Sequence, residues 1–345
     1  MNRKPRNKGA PGIVEVAKRA NVSAATVSRY FNHPKLVRGT TRLKIEKAAM
    51  DLGYIRDRLA GSMHARFSGS IGLIVPSINN AMFAELIEAL SSQLQRHDRT
   101  TLVASHNYDL DMEVGIVRSL LERRIDGVVL VGKDHHDAAL EMLSLREVPI
   151  VSVWNYHQSQ TMSCVGSDNR DAARAVAQHL ITLGHSDIAL FFPDTQLNDR
   201  ARDRMNGVLS ALASANIDLD EKRIINCSYS VPESKQRALE LLSSSNRPTA
   251  ILCGNDVIAH GVIYATQQLH LSVPKDISIA GIGDFAGSAE IEPSLTTVRL
   301  PARRIGVQAA DLVIKQSEST KPIIEHIKIE AEFKLRHSTA QADTA

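Results

Sequence analysis

Apolar positions along the chain follow two regimes. Between residues 13 and 53 they recur at helical spacing, and beyond residue 70 they gather into short β-rich runs separated by helical stretches. In the first regime Ile13, Val14, Val16, Ala17 and Ala20 give a short helix with one apolar face, ended by Asn21, a residue that tolerates the left-handed conformation. Ser23 is placed to cap a second helix, Ala24 to Phe31, by accepting from the backbone amide of Ala25 or Thr26. Val22 and Val27 are expected against Ala17, whose small side chain lets the two helices approach. A third helix, roughly Thr40 to Leu52, turns Leu43, Ile45, Ala48, Ala49 and Leu52 to the core and stops at Gly53. Two short helices joined by a tight polar turn, with a third behind them, predict an all-α helix-turn-helix head.

The second regime reads SIGLIVP (Ser70 to Pro76), TTLVAS (Thr100 to Ser105), GVVLVG (Gly127 to Gly132), PIVSVW (Pro149 to Trp154), DIALFF (Asp187 to Phe192), TAILCG (Thr249 to Gly254) and ISIAGIG (Ile277 to Gly283). Strands alternating with helices at this spacing predict parallel sheets with crossover helices, in two α/β halves split near Ser163 to Ser167. No run approaches the roughly 18 apolar residues that a membrane helix needs.

Composition is that of a folded protein: of 345 residues, 43% are hydrophobic and 23% charged, which excludes collagen-like, disulfide-scaffold and generally disordered classes. Charge changes the picture more. Residues 1 to 66 hold 15 Lys or Arg against four acids, a surplus of eleven, whereas the rest holds 26 bases against 34 acids, a deficit of eight. A basic head on an acidic body suits binding to a polyanion, since each neutralised phosphate releases counterions. Cys164, Cys227 and Cys253 lie far apart without metal-ligand spacing, and the basic start has no apolar segment behind it. A reducing cytoplasm, no structural zinc and no export signal are expected.

VAKRANVSAATVSRYFN (Val16 to Asn32) followed by TRLKIEKAAMDLGYI (Thr41 to Ile55) is similar to the head of the LacI/GalR family of transcriptional regulators, and the resemblance runs over nearly the whole chain. It implies a recognition helix in the major groove with Ala24, Ala25 and Arg29 at base-reading positions. Arg29 can pair bidentately with guanine, and the alanines offer contact to a thymine methyl. Ser23, Thr26, Ser28 and Asn32 are placed for phosphate or polar contacts. Arg38 stands where the family usually has a capping Ser, so the third helix is expected to start one or two residues later, with Arg38 on a phosphate. RDRLAGSMHARFSGS (Arg56 to Ser70) matches the hinge helix of the family, with Ala60 at a small minor-groove position and Met63 at the wedge that opens a base step.

For the body the resemblance implies the two-lobed periplasmic-binding-protein fold, closing on a small molecule between the C-terminal ends of its strands. PSINNAMFAELIEAL (Pro76 to Leu90) puts Asn79, Met82 and Phe83 at the cleft mouth. DRARDRMNGV (Asp199 to Val208) carries Arg204 to the ligand, with Arg200 and Arg202 nearby; GND (Gly254 to Asp256) supplies Asn255. Gly283 stands where many sugar-binding relatives have an Asp, with Asp284 next, and Trp154 ends the fourth strand where Asp is frequent. Losing two carboxylates while keeping arginines favours an anionic ligand, a sugar acid rather than a neutral sugar, as in the gluconate-type repressors that the chain also resembles. SLTTVRLPARRIG (Ser294 to Gly306) matches the return crossing to the first lobe.

The expected organisation is therefore a basic tail at 1–11, a helix-turn-helix domain at 12–56, hinge and linker at 57–69, an effector-binding and dimerisation domain at 70–338, and a tail at 339–345. The first lobe takes about 70–164 and 298–326 and the second about 165–297 and 327–338. Other signals are weaker. GxG at Gly281 to Gly283 is not completed to GxGxxG; Lys133 to Asp137 reads as a polar loop rather than a metal site; Asp109, Asp111 and Glu113 read as a helix start. No nucleophile elbow appears, and no cofactor is expected. The expected function is a non-enzymatic, dimeric, sequence-specific repressor of double-stranded operator DNA controlled by a sugar or sugar-acid effector, without membrane contact. The rivals are a solute-binding protein, which needs an export signal and has no use for a basic head, and a sugar-processing enzyme, which needs a nucleophile or cofactor loop. HSTAQADTA (His337 to Ala345) lacks leucine heptads, so no tetramerising coiled coil is expected.

Overall fold

The computed structural model describes residues 11–55, 67–79 and 81–342, with side chains for all of these except Asn32, Ala81 and Met82. The expected contacts of Ala60 and Met63, and of the Asn32 and Met82 side chains, lie outside the described residues. The chain forms two compact units, residues 1–68 and 69–345.

The first unit is built on α1 (Ile13–Ala20), α2 (Ala24–Asn32) and α3 (Gly39–Leu52), with a 3-10 turn at Pro34–Leu36. Asn21 ends α1 at φ 54°, ψ 51°, and Ser23 caps α2 by accepting from the Thr26 amide at 3.1 Å. Val16, Ala17, Ala20, Val27, Val37, Ile45 and Ala48 are buried together, with Val22, Phe31, Leu52 and Tyr54 packed on them. Leu43 departs from expectation: its side chain is 67% exposed. Ile45, Ala48, Ala49 and Leu52 share one face at helical spacing, and a residue two before Ile45 lies about 200° around the axis. The start of α3 also differs. The helix begins at Gly39, one residue ahead of Thr40, with Arg38 at the cap position and no side-chain cap bond; its carbonyl accepts from Thr41 and Arg42. Gly53 closes α3 at φ 62°.

The second unit continues the chain as β1 (Ser70–Val75), α4 (Ala81–Arg96), β2 (Thr100–Ser105), α5 (Asp111–Glu122), β3 (Gly127–Val131), α6 (Asp137–Leu145), β4 (Ile150–Asn155) and β5 (Ser163–Ser167). It then runs α7 (Asn169–Thr182), β6 (Ile188–Phe192), α8 (Asp199–Ser214), β7 (Ile224–Asn226), α9 (Val231–Leu242), β8 (Ala250–Cys253), α10 (Asp256–Gln268), β9 (Ser278–Ala280), β10 (Thr297–Arg299), α11 (Ala302–Glu318), β11 (His326–Lys328) and β12 (Glu332–Lys334). A six-stranded parallel sheet in the order β11-β5-β4-β3-β1-β2 forms the first lobe and a four-stranded parallel sheet, β7-β6-β8-β9, the second. Both sheets are covered by helices, which is why β1, β3, β4, β6 and β8 are continuous apolar runs rather than alternating ones.

The crossings between lobes fall later than expected. β5 lies wholly in the first sheet, pairing Ser163 with Val151 through Ser167 with Asn155, and β11 pairs with it in turn, so the chain leaves the first sheet after Ser167 and after Lys328. The return crossing pairs β10 antiparallel to β12, with Val298 opposite Phe333. Residues of the expected tail at 339–345 are tied to the second lobe: Ala340 donates to Ser278 Oγ at 3.0 Å and Ala342 to the Leu183 carbonyl at 2.8 Å.

Candidate functional site

On the head, α2 turns Val27 into the core and leaves Ala25 and Arg29, four residues apart, exposed on one face, with Ala24, Thr26 and Ser28 half-buried beside them. Ser23 Oγ also lies 2.8 Å from Thr26 Oγ1, so these hydroxyls brace the helix start as well as facing outward. Arg38, Lys35, Arg42, Lys44 and Lys47 are exposed, and none of them, nor Arg29, forms an ion pair among the described residues. Burial, reinforced by Glu46, pushes the Tyr30 phenol upward, so Tyr30 stays neutral where the head packs. An exposed arginine on a helix flanked by unpaired cations is suited to reading base edges between phosphates.

In the body, residues at the C-terminal ends of strands from both sheets enclose a cleft of about 530 Å³. Ser77, Asn79 and Tyr108 line it from the first lobe, and Pro193, Asp194, Leu197, Asn198, Asn226, Ser228, Tyr229 and Glu233 from the second. The Tyr108 and Tyr229 rings face each other across it with centroids 6.2 Å apart, and Asn198 donates to the Tyr229 hydroxyl at 3.1 Å. Of the expected residues whose side chains are described, only Asn79 lines this space.

A buried hydrogen-bonded set also joins the lobes. Arg204 is fully buried on α8; its Nε donates to Asn169 Oδ1 at 2.8 Å and its Nη1 to the Gly254 carbonyl at 2.9 Å. Asn169 donates in turn to the Trp154 carbonyl at 3.3 Å and to Asn155 Oδ1 at 3.1 Å. Burial pulls the Arg204 guanidinium below its ordinary range, opposed chiefly by Tyr229 and also by Asp256 and Tyr108, so the cation sits within electrostatic reach of both cleft tyrosines. Asn255 caps α10, its Oδ1 accepting from Ile258 at 3.0 Å, and its Nδ2 is left over. Trp154 adopts φ +82° and packs edge-on against the buried Phe83 ring at 5.6 Å, which makes Phe83 a wall of the core rather than of the mouth. Arg204 Nη2, Asn255 Nδ2 and Trp154 Nε1 are buried donors with no hydrogen-bond partner among the described residues. Buried unpaired donors are costly unless something supplies acceptors, and two of these residues, Arg204 and Trp154, are joined through Asn169.

Arg200, Asp284 and Gly283, expected beside the ligand, are occupied otherwise. Arg200 Nη1 donates to Asp199 Oδ1 at 2.7 Å and to the Val131 carbonyl at 3.2 Å, reaching into the first lobe where Gly132 has no side chain; a Cβ there would lie 2.2 Å from that nitrogen. Around this contact Lys133 pairs with Asp203 at 2.7 Å, Arg202 with Asp134 at 2.6 Å, and Asn155 donates to both Asp199 and Asp203 at 2.8 Å. Burial pushes the Asp199 carboxyl up, but Arg200, the Asn155 amide and the Lys133 backbone together hold it below the ordinary range, so it is ionised. The loop from Lys133 to Asp137, read from sequence as merely polar, is one half of this latch. Asp284, its side chain 3% exposed, pairs with Arg336 at 2.6 Å and Arg299 at 3.0 Å at the lobe crossing. Gly283 has φ +138°, and a Cβ on it would meet the Phe285 ring at 2.3 Å, so an aromatic edge fills the side-chain space of that position. Sequence reasoning missed Tyr108, Asn169, Asn198 and Tyr229; Asn198, directly ahead of the arginine-rich DRARDR run, carried a cap signal, and the others carried none.

The family described as "Periplasmic binding proteins and sugar binding domain of LacI family" matches residues 68–337, and that described as "Bacterial regulatory proteins, lacI family" matches residues 12–57. This chain belongs to the LacI family. Among its relatives, the HTH-type transcriptional repressor PurR of Serratia proteamaculans is 32% identical over 325 residues, 92% of this chain and 94% of that protein. PurR of Proteus mirabilis is 30% identical over 331 residues, 95% and 96% of the two chains. Among solved structures, transcription regulator GntR from Chromobacterium violaceum superposes with a TM-score of 0.73 at 28% identity over 78% of this chain and 99% of that one. The lac repressor dimer bound to operator and the anti-inducer ONPF gives a TM-score of 0.83 at 25% identity over 96% and 100%. This LacI-family protein is a DNA-binding transcriptional regulator with a small-molecule-binding body, and not an enzyme. Among the described residues no helix is long and apolar enough to cross a membrane.

Proposed function

We propose that this LacI-family regulator is a homodimeric cytoplasmic repressor whose two heads read the half-sites of a roughly palindromic operator, and whose operator affinity is set by a small carboxylate-bearing sugar derivative held between the lobes. Arg29 reads guanine in the major groove, Ala24 and Ala25 touch thymine methyls, and Ser23, Thr26, Ser28, Asn32 and Arg38 set the register on phosphates. Ala60 and Met63 are assigned to the minor groove at the hinge, Met63 as the wedge. The observation that carries the effector class is the set of buried unpaired donors on Arg204, Asn255 and Trp154: all three call for acceptors, and one is a cation. A carboxylate offers two acceptor oxygens and the compensating charge. Phe285 beside Gly283 takes up the space of a hydroxyl-binding Asp, which also disfavours a neutral sugar. The Arg200 and Lys133 latch joins the same two lobes that the ligand would bridge, and any effect of the effector on operator affinity is matched by an equal effect of the operator on effector affinity.

Isothermal calorimetry on the full chain tests the effector class. Aldonates or ketoaldonates are expected to bind, and Arg204→Met to weaken them roughly a hundredfold, the loss of a charge-assisted pair worth about 2 to 3 kcal/mol. Tight binding of a neutral hexose with none of any sugar acid contradicts the proposal.

A further inference from the structure

Where the start of α8 meets the first lobe, the two surfaces are complementary in charge. The first lobe presents Lys133 and Asp134 in succession, and the second presents Arg202 and Asp203. Each cation meets the other lobe's anion, Lys133 Nζ at 2.7 Å from Asp203 and Arg202 Nη2 at 2.6 Å from Asp134. Beside them the Lys133 backbone amide donates to Asp199 Oδ2 at 3.1 Å and Arg200 to the Val131 carbonyl at 3.2 Å. Close approach is built into the backbone: Gly132 sits at φ +97°, and a Cβ there would lie 2.2 Å from Arg200 Nη1 and 2.6 Å from Asp199 Oδ1. Each half is also braced within its own lobe. On the first, buried Glu113 accepts from His135 Nδ1 at 2.9 Å and from the His136 amide at 2.8 Å. On the second, Arg202 Nη1 donates to the Thr195 and Gln196 carbonyls at 3.1 and 3.0 Å. Groups held in advance lose little freedom when the halves meet.

Sheet order gives this latch its leverage. In β11-β5-β4-β3-β1-β2 the chain crosses between lobes after β5 and β11, the latch sits at the ends of β3 and β4, and the cleft is lined from beyond β1 and β2. The latch therefore lies between the crossings and the cleft mouth, where a small parting opens the mouth by more. Asn198 lines the cleft and its neighbour Asp199 belongs to the latch, so the two move together. We infer that the latch closes the lobes on its own: closure is a property of this chain rather than a response to the effector, which acts on lobes already shut. The inference does not depend on the effector's chemical class.

Hydrogen exchange of the full chain, dialysed free of small molecules, reads this directly, because the Lys133 amide has its acceptor on the other lobe. Exchange resolved to single amides is expected to be slow at Lys133 with no ligand added. Raising salt from about 0.05 to about 0.5 M should speed it several-fold, since the pairs are only partly buried and are screened. Asp134→Arg, which sets a like charge against Arg202, should speed it about tenfold, and Arg202→Asp added to that variant should restore most of the protection. Unchanged protection of the β8 amides shows that the variants keep their fold, and the salt series needs no variant. A Lys133 amide as unprotected in the unaltered chain as in Asp134→Arg, exchange that salt leaves unchanged, or a swapped pair that restores nothing, overturns the inference.

Discussion

Arg29 projects from the exposed face of α2 while Val27, two residues before it, anchors the helix in the head core. A side chain so placed does its work outside the fold. Arg29→Ala is therefore expected to leave head stability within about 0.5 kcal/mol, the usual range for a surface change, while costing about 1 to 3 kcal/mol on the operator and relaxing base preference at one position per half-site. Fluorescence anisotropy on operator variants reads this, and an unchanged preference refutes its role. Gly283 is the opposite kind of residue. At φ +138° with the Phe285 ring 2.3 Å from a Cβ, Gly283→Asp is expected to lower the melting temperature by several degrees rather than create a sugar site, and Gly283→Asp with Phe285→Ala to recover only part of it, because the backbone strain remains. Full recovery in the double variant, followed by thermal melts, contradicts the strain argument.

At the scale of elements, the start of α2 depends on Ser23, whose hydroxyl takes the Thr26 amide and braces Thr26 Oγ1. Ser23→Ala is expected to destabilise the head by about 1 kcal/mol. Hydrogen exchange should show faster opening of α2 amides with the body unchanged; equal protection would show that the cap contributes nothing. Those local signals, Asn21, Ser23 and Gly53, were legible because each acts on neighbours within four residues. The long strands were legible because burial on both faces makes them apolar throughout. Leu43 was misread because its apolarity was counted without its angle around α3. β5, β7, β11 and β12 were invisible: SCVGS, IIN, HIK and EFK are strands through the register their partners impose, not through any pattern of their own. The site divides the same way. Arg204 and Asn255 were legible from motif, but Arg200, Asp284 and the Lys133 loop find partners 52 to 70 residues away, and no local reading brings those together.

For the whole molecule, burial lowers the pKa of His106, His157, His179, His185 and His260 below the ordinary imidazole range. The folded chain then binds fewer protons than the unfolded one, so stability is full above the unfolded value of about 6.5 and is lost as pH falls through and below it. The melting temperature is expected to fall between pH 7.5 and 5.5, and His185→Gln to flatten that slope; a rise on acidification contradicts the burial argument. His185 is informative because it ties Thr249, Ser278 and the Ala340 carbonyl together, holding the last residues against the second lobe.

The central claim is that a basic head reads duplex DNA under the control of a ligand in the body. The measurement that meets it most directly is selection from a random duplex library on the purified full chain, followed by anisotropy of the enriched duplex across a salt series, with and without a bound aldonate. The account predicts an enriched inverted repeat, affinity that falls steeply with log salt, and a change in affinity of tenfold or so when the ligand is added, the usual size of a coupling between sites. No enriched sequence, or retention that neither salt nor any sugar acid alters, contradicts it.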